Sequence, residues 1–158
     1  MPDLLAGTKV KAIDTPPTVS DSQAGLFTFT TTTYGVAVTS GTYADCGVAF
    51  VAPTTGRVIV KTIGFLRAST AGGASIVAPV IREGATVGSG TVVVPADDMN
   101  GIQANGTGSN TDGCRLGADA LIEGLTPGGV YNVRLEHRAN GSTTATATRR
   151  TVIVTPAT

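Results

Sequence analysis

Few side chains in this chain could perform covalent or acid–base chemistry, and their spacing constrains what they could do. His137 is the only histidine, and Cys46 and Cys114 are the only cysteines. A hydrolytic triad needs a base of near-neutral pKa beside its nucleophile. Alternation places His137 on the core-facing side of a strand, next to Leu135, so it reads as a packed or hydrogen-bonded residue. Two cysteines and one histidine cannot complete a four-ligand zinc site without carboxylates from elsewhere. Gly88-Ser89-Gly90 lacks the lysine that follows in a phosphate loop. Candidate carboxylate pairs for glycoside hydrolysis are Asp97 with Asp98, or Glu123 with a distant partner, but neighbours on a strand point apart. Arg149-Arg150 is a basic pair without adjacent aromatic residues, a poor platform for nucleic acid. The segment from Pro95 to Gly117 crowds Asp97, Asp98, Asn100, Asn105, Asn110 and Asp112 together and invites a calcium loop. The ligand spacing and the terminal Glu of an EF-hand are missing, so a solvated or interface loop is the expectation. No enzyme, metal or cofactor is expected.

The elements that would carry these residues read as strands. The chain has 158 residues, a length that suits one domain. Its hydrophobic residues make up 41 % and aromatics only 4 %, without Trp, so Val, Ile, Ala and Thr must build the core. β-branched side chains suit a pleated surface, and the 21 Gly and 8 Pro punctuate the chain with turns. Strands are expected over Leu26 to Thr33, Val36 to Val38, Cys46 to Ala52, Arg57 to Leu66, Ser75 to Arg82, Thr91 to Val94, Val130 to Arg138 and Thr143 to Val154. This spacing predicts an all-β fold, an antiparallel β-sandwich of jelly-roll type spanning residues 26–158, with a long loop over 95–118. Pro53-Thr54-Thr55-Gly56 reads as a hairpin loop. Thr126-Pro127-Gly128-Gly129 suits a type II turn. Asn140-Gly141 suits a type I′ hairpin opposing Leu135 to Thr146, Val133 to Thr148 and Tyr131 to Arg150. That register puts Tyr131, Val133, Leu135, His137, Val152 and Val154 on one face. Asn132, Arg134, Glu136 and Arg138 fall on the other, with Ala145, Ala147 and Arg149.

Residues 1–25 read as an arm, extended or partly strand-like. Pro16-Pro17 removes two backbone donors and favours an extended chain outside the domain's own sheets. Leu4, Leu5, Val10 and Ile13 are too apolar for a solvated tail, so the arm is expected to bind a partner subunit. Lys and Arg (11) balance Asp and Glu (11), which provides no general attraction to nucleic acid or an anionic membrane. The opening residues lack the pattern of a secretory signal, no apolar run approaches the ~20 residues of a membrane span, and a cytoplasmic site of folding is expected.

Two short motifs carry resemblances. Phe50-Val51-Ala52-Pro53-Thr54-Thr55-Gly56-Arg57-Val58 resembles the F-x-x-P-x-x-G-x-[YV] hairpin of C1q/TNF-like jelly-roll domains. Leu125-Thr126-Pro127-Gly128-Gly129-Val130-Tyr131 resembles the L-x-P-x-x-x-Y turn of fibronectin type III and related sandwiches. Taken whole, the chain resembles small virion proteins of tailed phages that infect actinobacteria. The resemblance rests on the Leu4-Leu5-Ala6-Gly7-Thr8 opening, the Ala/Thr/Gly/Val-rich composition and the ending from Tyr131 to Arg138 and from Arg149 to Val154. It implies a capsid decoration or minor capsid protein, a homotrimer bound to major capsid protein subunits on the virion surface. The alternative it implies is a minor tail, fibre or baseplate protein that binds a host-surface receptor or glycan.

Overall fold

A computed structural model describes residues 14–108, 112–141 and 143–158. Eleven strands form two antiparallel sheets, and no α-helix occurs among the described residues. The strands are β1 (Val19–Gln23), β2 (Phe27–Phe29), β3 (Ser40–Gly41), β4 (Gly47–Val51), β5 (Val58–Ala68), β6 (Ala74–Glu83), β7 (Val92–Val94), β8 (Ile102–Asn105), β9 (Cys114–Ile122), β10 (Val130–Asn140) and β11 (Ala145–Pro156). One sheet runs β3-β2-β11-β5-β9, with β1 also on β11. The other runs β4-β10-β6-β7, with β8 also on β6. The all-β sandwich expected from the spacing is what forms, and its core lies between the sheets around Phe27, Phe29, Leu66, Ile81, Val133 and Val152. Each such side chain, fully buried, contributes about 1.5–3 kcal/mol, so a core with few aromatics still suffices for a domain of this size. Pro79 shows how local chemistry fits this plan. It sits in central β6 between the stretches paired with β8 and with β7, where that flank has no neighbour to miss its absent N–H.

Strand β11 carries the main irregularity. Thr148 pairs with Phe65 and Thr151 with Ile63, so Arg149 and Arg150 together oppose the single residue Gly64. Arg149 has φ 51°, a left-handed conformation that glycine takes more readily. The extra residue reverses which side chains point inward. Ala145 and Ala147 face the core before the bulge, and Arg150, Val152 and Val154 face it after. The bulge corrects the expected face assignment, in which unbroken alternation left Ala145 and Ala147 outside.

The turns form where expected, but two of them join different partners. The Pro53–Gly56 turn closes with Gly56 N–H donating to Pro53 O, yet β4 and β5 lie in opposite sheets. Asn140-Gly141 likewise links β10 to β11 across the sandwich, so the expected type I′ hairpin and its register are wrong. Strand β10 pairs with β4 and β6, and β11 pairs with β1, β2 and β5. Only Gly141 of that dipeptide has positive φ, at 74°. The type II turn is present. Gly128 has φ 77°, Gly129 N–H donates to Thr126 O, and the Tyr131 hydroxyl accepts from Thr126 N–H at 3.0 Å.

Two boundaries also move. Val19–Gln23, within the stretch expected as an extended or partly strand-like arm, is an edge strand paired with β11 from Val19↔Val154 to Gln23↔Arg150. Residues 95–118 are not one loop, because they include a 3₁₀ turn at Asp98–Asn100, all of β8 and the start of β9. Of the smaller expected strands, Val36 to Val38 forms none; Gly35 alone bridges to His137.

The cross-sheet link predicts unequal effects of two substitutions. Gly141→Ala should cost about 1–2 kcal/mol, since its φ suits only glycine. Asn140→Ala should stay within about 0.5 kcal/mol, because Asn140 is an exposed strand end. Chemical denaturation of both variants checks this, and equal losses would restore the hairpin.

Candidate functional site

Arg150 is the first unusual group produced by this fold. The bulge sends it into the core, where it is 1 % exposed. Its guanidinium lies over the rings of Phe27 (4.6 Å) and Tyr43 (4.9 Å), and Nη2 donates to Ala44 O at 2.7 Å. Gly64, opposite the bulge, has no side chain to occupy that space; a Cβ there would stand 3.9 Å from Arg150 Cγ. No carboxylate pairs with Arg150 among the described residues, so ring faces supply the balancing negative potential.

His137 completes this interior cluster. Its ring stacks at 4.4 Å from Phe29 and 4.9 Å from Phe27, and Nε2 lies 2.8 Å from Ala37 O. A carbonyl only accepts, so Nε2 carries the proton. Burial holds the imidazole pKa below its ordinary 6.5, and the nearby Arg150 charge acts in the same direction. Tyr43 is pushed up to about 12, first by burial and then by Asp45. The Cys46 thiol is buried and rises to about 11, which leaves it protonated and inert at neutral pH, whereas Cys114 is exposed. His137 therefore lies where alternation put it, in a packed interior without a nucleophile beside it.

A second polar group lines the outer side of the β10 sheet. Arg82 on β6 and Arg134 on β10 both donate to Glu136 Oε1, at 3.0 and 2.7 Å, and all three side chains are at most 15 % exposed. Asn132, fully buried, accepts from Gly88 N–H and donates to Gly84 O and Ser89 O, which ties the β6–β7 loop over the sheet. Farther along β10, Arg138 chelates Asp98 and stacks 5.4 Å over Tyr34, whose hydroxyl also donates to Asp98. Arg138 above all holds the Asp98 carboxyl below its usual range. These groups clamp covering loops onto a sheet, and each acid already has its cation.

The other sequence candidates separate. Asp97 caps the 3₁₀ turn by accepting from Met99 N–H at 2.7 Å. Glu123 meets Arg57 at 3.9 Å on the surface. Among the described residues, no group of three His, Cys, Asp or Glu side chains stands ready to hold a metal. Pro16 is half-buried and Pro17 exposed, just before β1, while Leu4, Leu5, Val10 and Ile13 lie outside the described residues. The Arg150 cage and the Glu136 clamp were missed from the sequence. The signal for Arg150 was the parity conflict between Ala145/Ala147 and Val152/Val154, which an extra residue in β11 resolves. Comparison with known proteins finds no family model that matches the chain and no similar curated protein.

Two measurements follow from this geometry. Glu136→Gln leaves two nearly buried guanidinium groups facing each other and should cost about 3 kcal/mol, with Glu136→Leu/Arg82→Met recovering part of it. Equilibrium unfolding in urea reads both. His137 binds a proton more readily unfolded than folded, so stability is full above about pH 6.5 and falls as pH drops through that value. This dependence should vanish in His137→Gln, measured as the denaturation midpoint against pH.

Proposed function

We propose that the chain is a virion structural protein, a capsid decoration module that binds and stabilises a lattice of major-capsid subunits. The observation that carries this reading is the outer face of the β11 sheet. Ile59 and Leu121, cross-strand partners on that face, are 37 % and 55 % exposed. Ile63 and Ile153 add half-exposed apolar surface on the same side. Lys61 pairs with Asp119 at 3.5 Å between these apolar residues, and a half-apolar sheet face of this kind suits packing against another subunit. The sandwich and the resemblance of the chain to small phage virion proteins support the same reading, and a jelly-roll module that trimerises is its expected form.

The second support lies at β1. Strand β1 is an edge strand, and an extended segment joined to such an edge can pass to a neighbour and add to its sheet. Leu4, Leu5, Val10 and Ile13 would supply the apolar anchors, with Pro16-Pro17 holding the segment off the parent sheet. A protein that binds only the assembled lattice stabilises that lattice by mass action.

Deleting residues 1–18 should leave the melting temperature within a few degrees of the parent while weakening co-sedimentation with particles that lack the protein. Deletion through Gln23 should also lower the melting temperature, because it strips β1 from β11. Undiminished co-sedimentation of the shorter truncation would sink the clamp, and a particle map without the protein on the head would sink the reading itself.

A further inference from the structure

Two cations on the outer face of the β11 sheet serve no contact described above. Arg149, at the bulge, and Arg115, on β9, are both exposed, and neither has an ion-pair partner among the described residues. Both line one pocket of about 260 Å³, with Ser22, Gln23, Ala24 and Thr151, and no carboxylate lies on its wall. Arg150 also borders the pocket but turns its guanidinium away, toward Ala44 O. Ser22 Oγ and Thr151 Oγ1 lie 2.9 Å apart, so one hydroxyl proton joins them and the other remains free to donate. Next to it, Arg149 and Phe65 share a second, smaller hollow with Leu26 and Thr148. Arg115 is the cross-strand partner of Phe65, so an aromatic ring stands between the two arginine positions.

We propose that this pocket binds a phosphate-type oxyanion, with Arg115 and Arg149 as its cationic arms and the Ser22–Thr151 hydroxyl pair as a neutral donor. Guanidinium groups present fixed forks of donors that match tetrahedral oxyanions. The left-handed backbone of Arg149 is a second observation. A non-glycine residue in that region is strained, and such strain concentrates where a side chain is aimed at a ligand. Phe65 offers a face on which an attached sugar can stack. Free phosphate and a phosphorylated sugar share the anionic chemistry, and the ring contact separates them. The site adjoins the packing face, since Thr151 on its wall is the cross-strand partner of Ile63, but a small anion can bind there without a partner subunit.

The test uses the full chain, isotopically labelled and followed by NMR. Sodium phosphate is the first probe and glucose 1-phosphate the second, each against sodium chloride at matched ionic strength. Saturable shifts confined to Ser22, Arg115, Arg149 and Thr151 are expected with phosphate and absent with chloride. Tighter binding of glucose 1-phosphate would identify a sugar phosphate as the ligand, and equal binding would identify the free anion. Arg149→Gly removes the cation while relieving its backbone strain, so it should fold at least as well as the parent and bind about tenfold more weakly, as should Arg115→Ala. Arg149→Lys, which keeps charge without the fork, should fall between. Shifts that do not saturate, an equal response to chloride, or unchanged binding by Arg149→Gly and Arg115→Ala would each overturn the site.

Discussion

Two residues of β11 opposing one of β5 is the constraint on which the rest of this sandwich depends. Without the bulge at Arg149 and Arg150, one half of β11 would present its core side chains to solvent. Ala145 and Ala147 sit at odd positions, Val152 and Val154 at even ones, and all four are buried. The insertion reconciles them by turning the strand one residue further. It also marks the division of labour along the flank of β11, which pairs with β2 before the bulge and with β1 from Arg150 onward. Gly64 lies opposite the bulge, where a Cβ would press first on Ile102 Cδ1, at 3.2 Å.

The two buried polar groups are stabilised by different physics. Arg150 is held by aromatic faces and one carbonyl, with Nε and Nη1 buried without a hydrogen bond, an arrangement that suits a weakly hydrated, delocalised cation better than a point charge such as lysine. Glu136 is held by two guanidinium groups and has its charge more than balanced. The first arrangement ties the two sheets together through the core, since Arg150 and Phe27 belong to one sheet and His137 to the other. The second joins the neighbouring strands β6 and β10 on the outer side of their sheet. Among the described residues, both groups use their charges and rings for packing and hydrogen bonding.

The class of fold was legible because period-two alternation and turn residues act locally. Val58–Ala68 and Val130–Asn140 both read directly as strands, and Thr126-Pro127-Gly128-Gly129 read as its turn type. Pairing was not legible, because it depends on which sheet each strand joins. Asn140-Gly141 shows the difficulty: one left-handed glycine serves a link between sheets as well as a hairpin, and the flanking residues alternate in both cases. The bulge was hidden for a related reason. Its left-handed position carries Arg instead of the Gly that would have announced it. The candidate site shared this fate. Arg149-Arg150 looked like a basic pair on one surface, whereas the bulge sends one cation inward and leaves the other outside.

The pairing of β1 with β11 joins Val19 to Val154, nearly the whole chain apart. Few neighbouring strands pair with each other, and most contacts link residues distant in sequence. Such a topology must close large loops before its contacts form, which makes folding slow compared with a meander of the same length. The last strand is also the centre of its sheet, flanked by β5 on one side and by β1 and β2 on the other. During synthesis those three strands have no central partner until the C-terminal residues emerge. The sheet therefore assembles only once β11 is available, and a chain that stops before Ala145 lacks the strand around which the others collect.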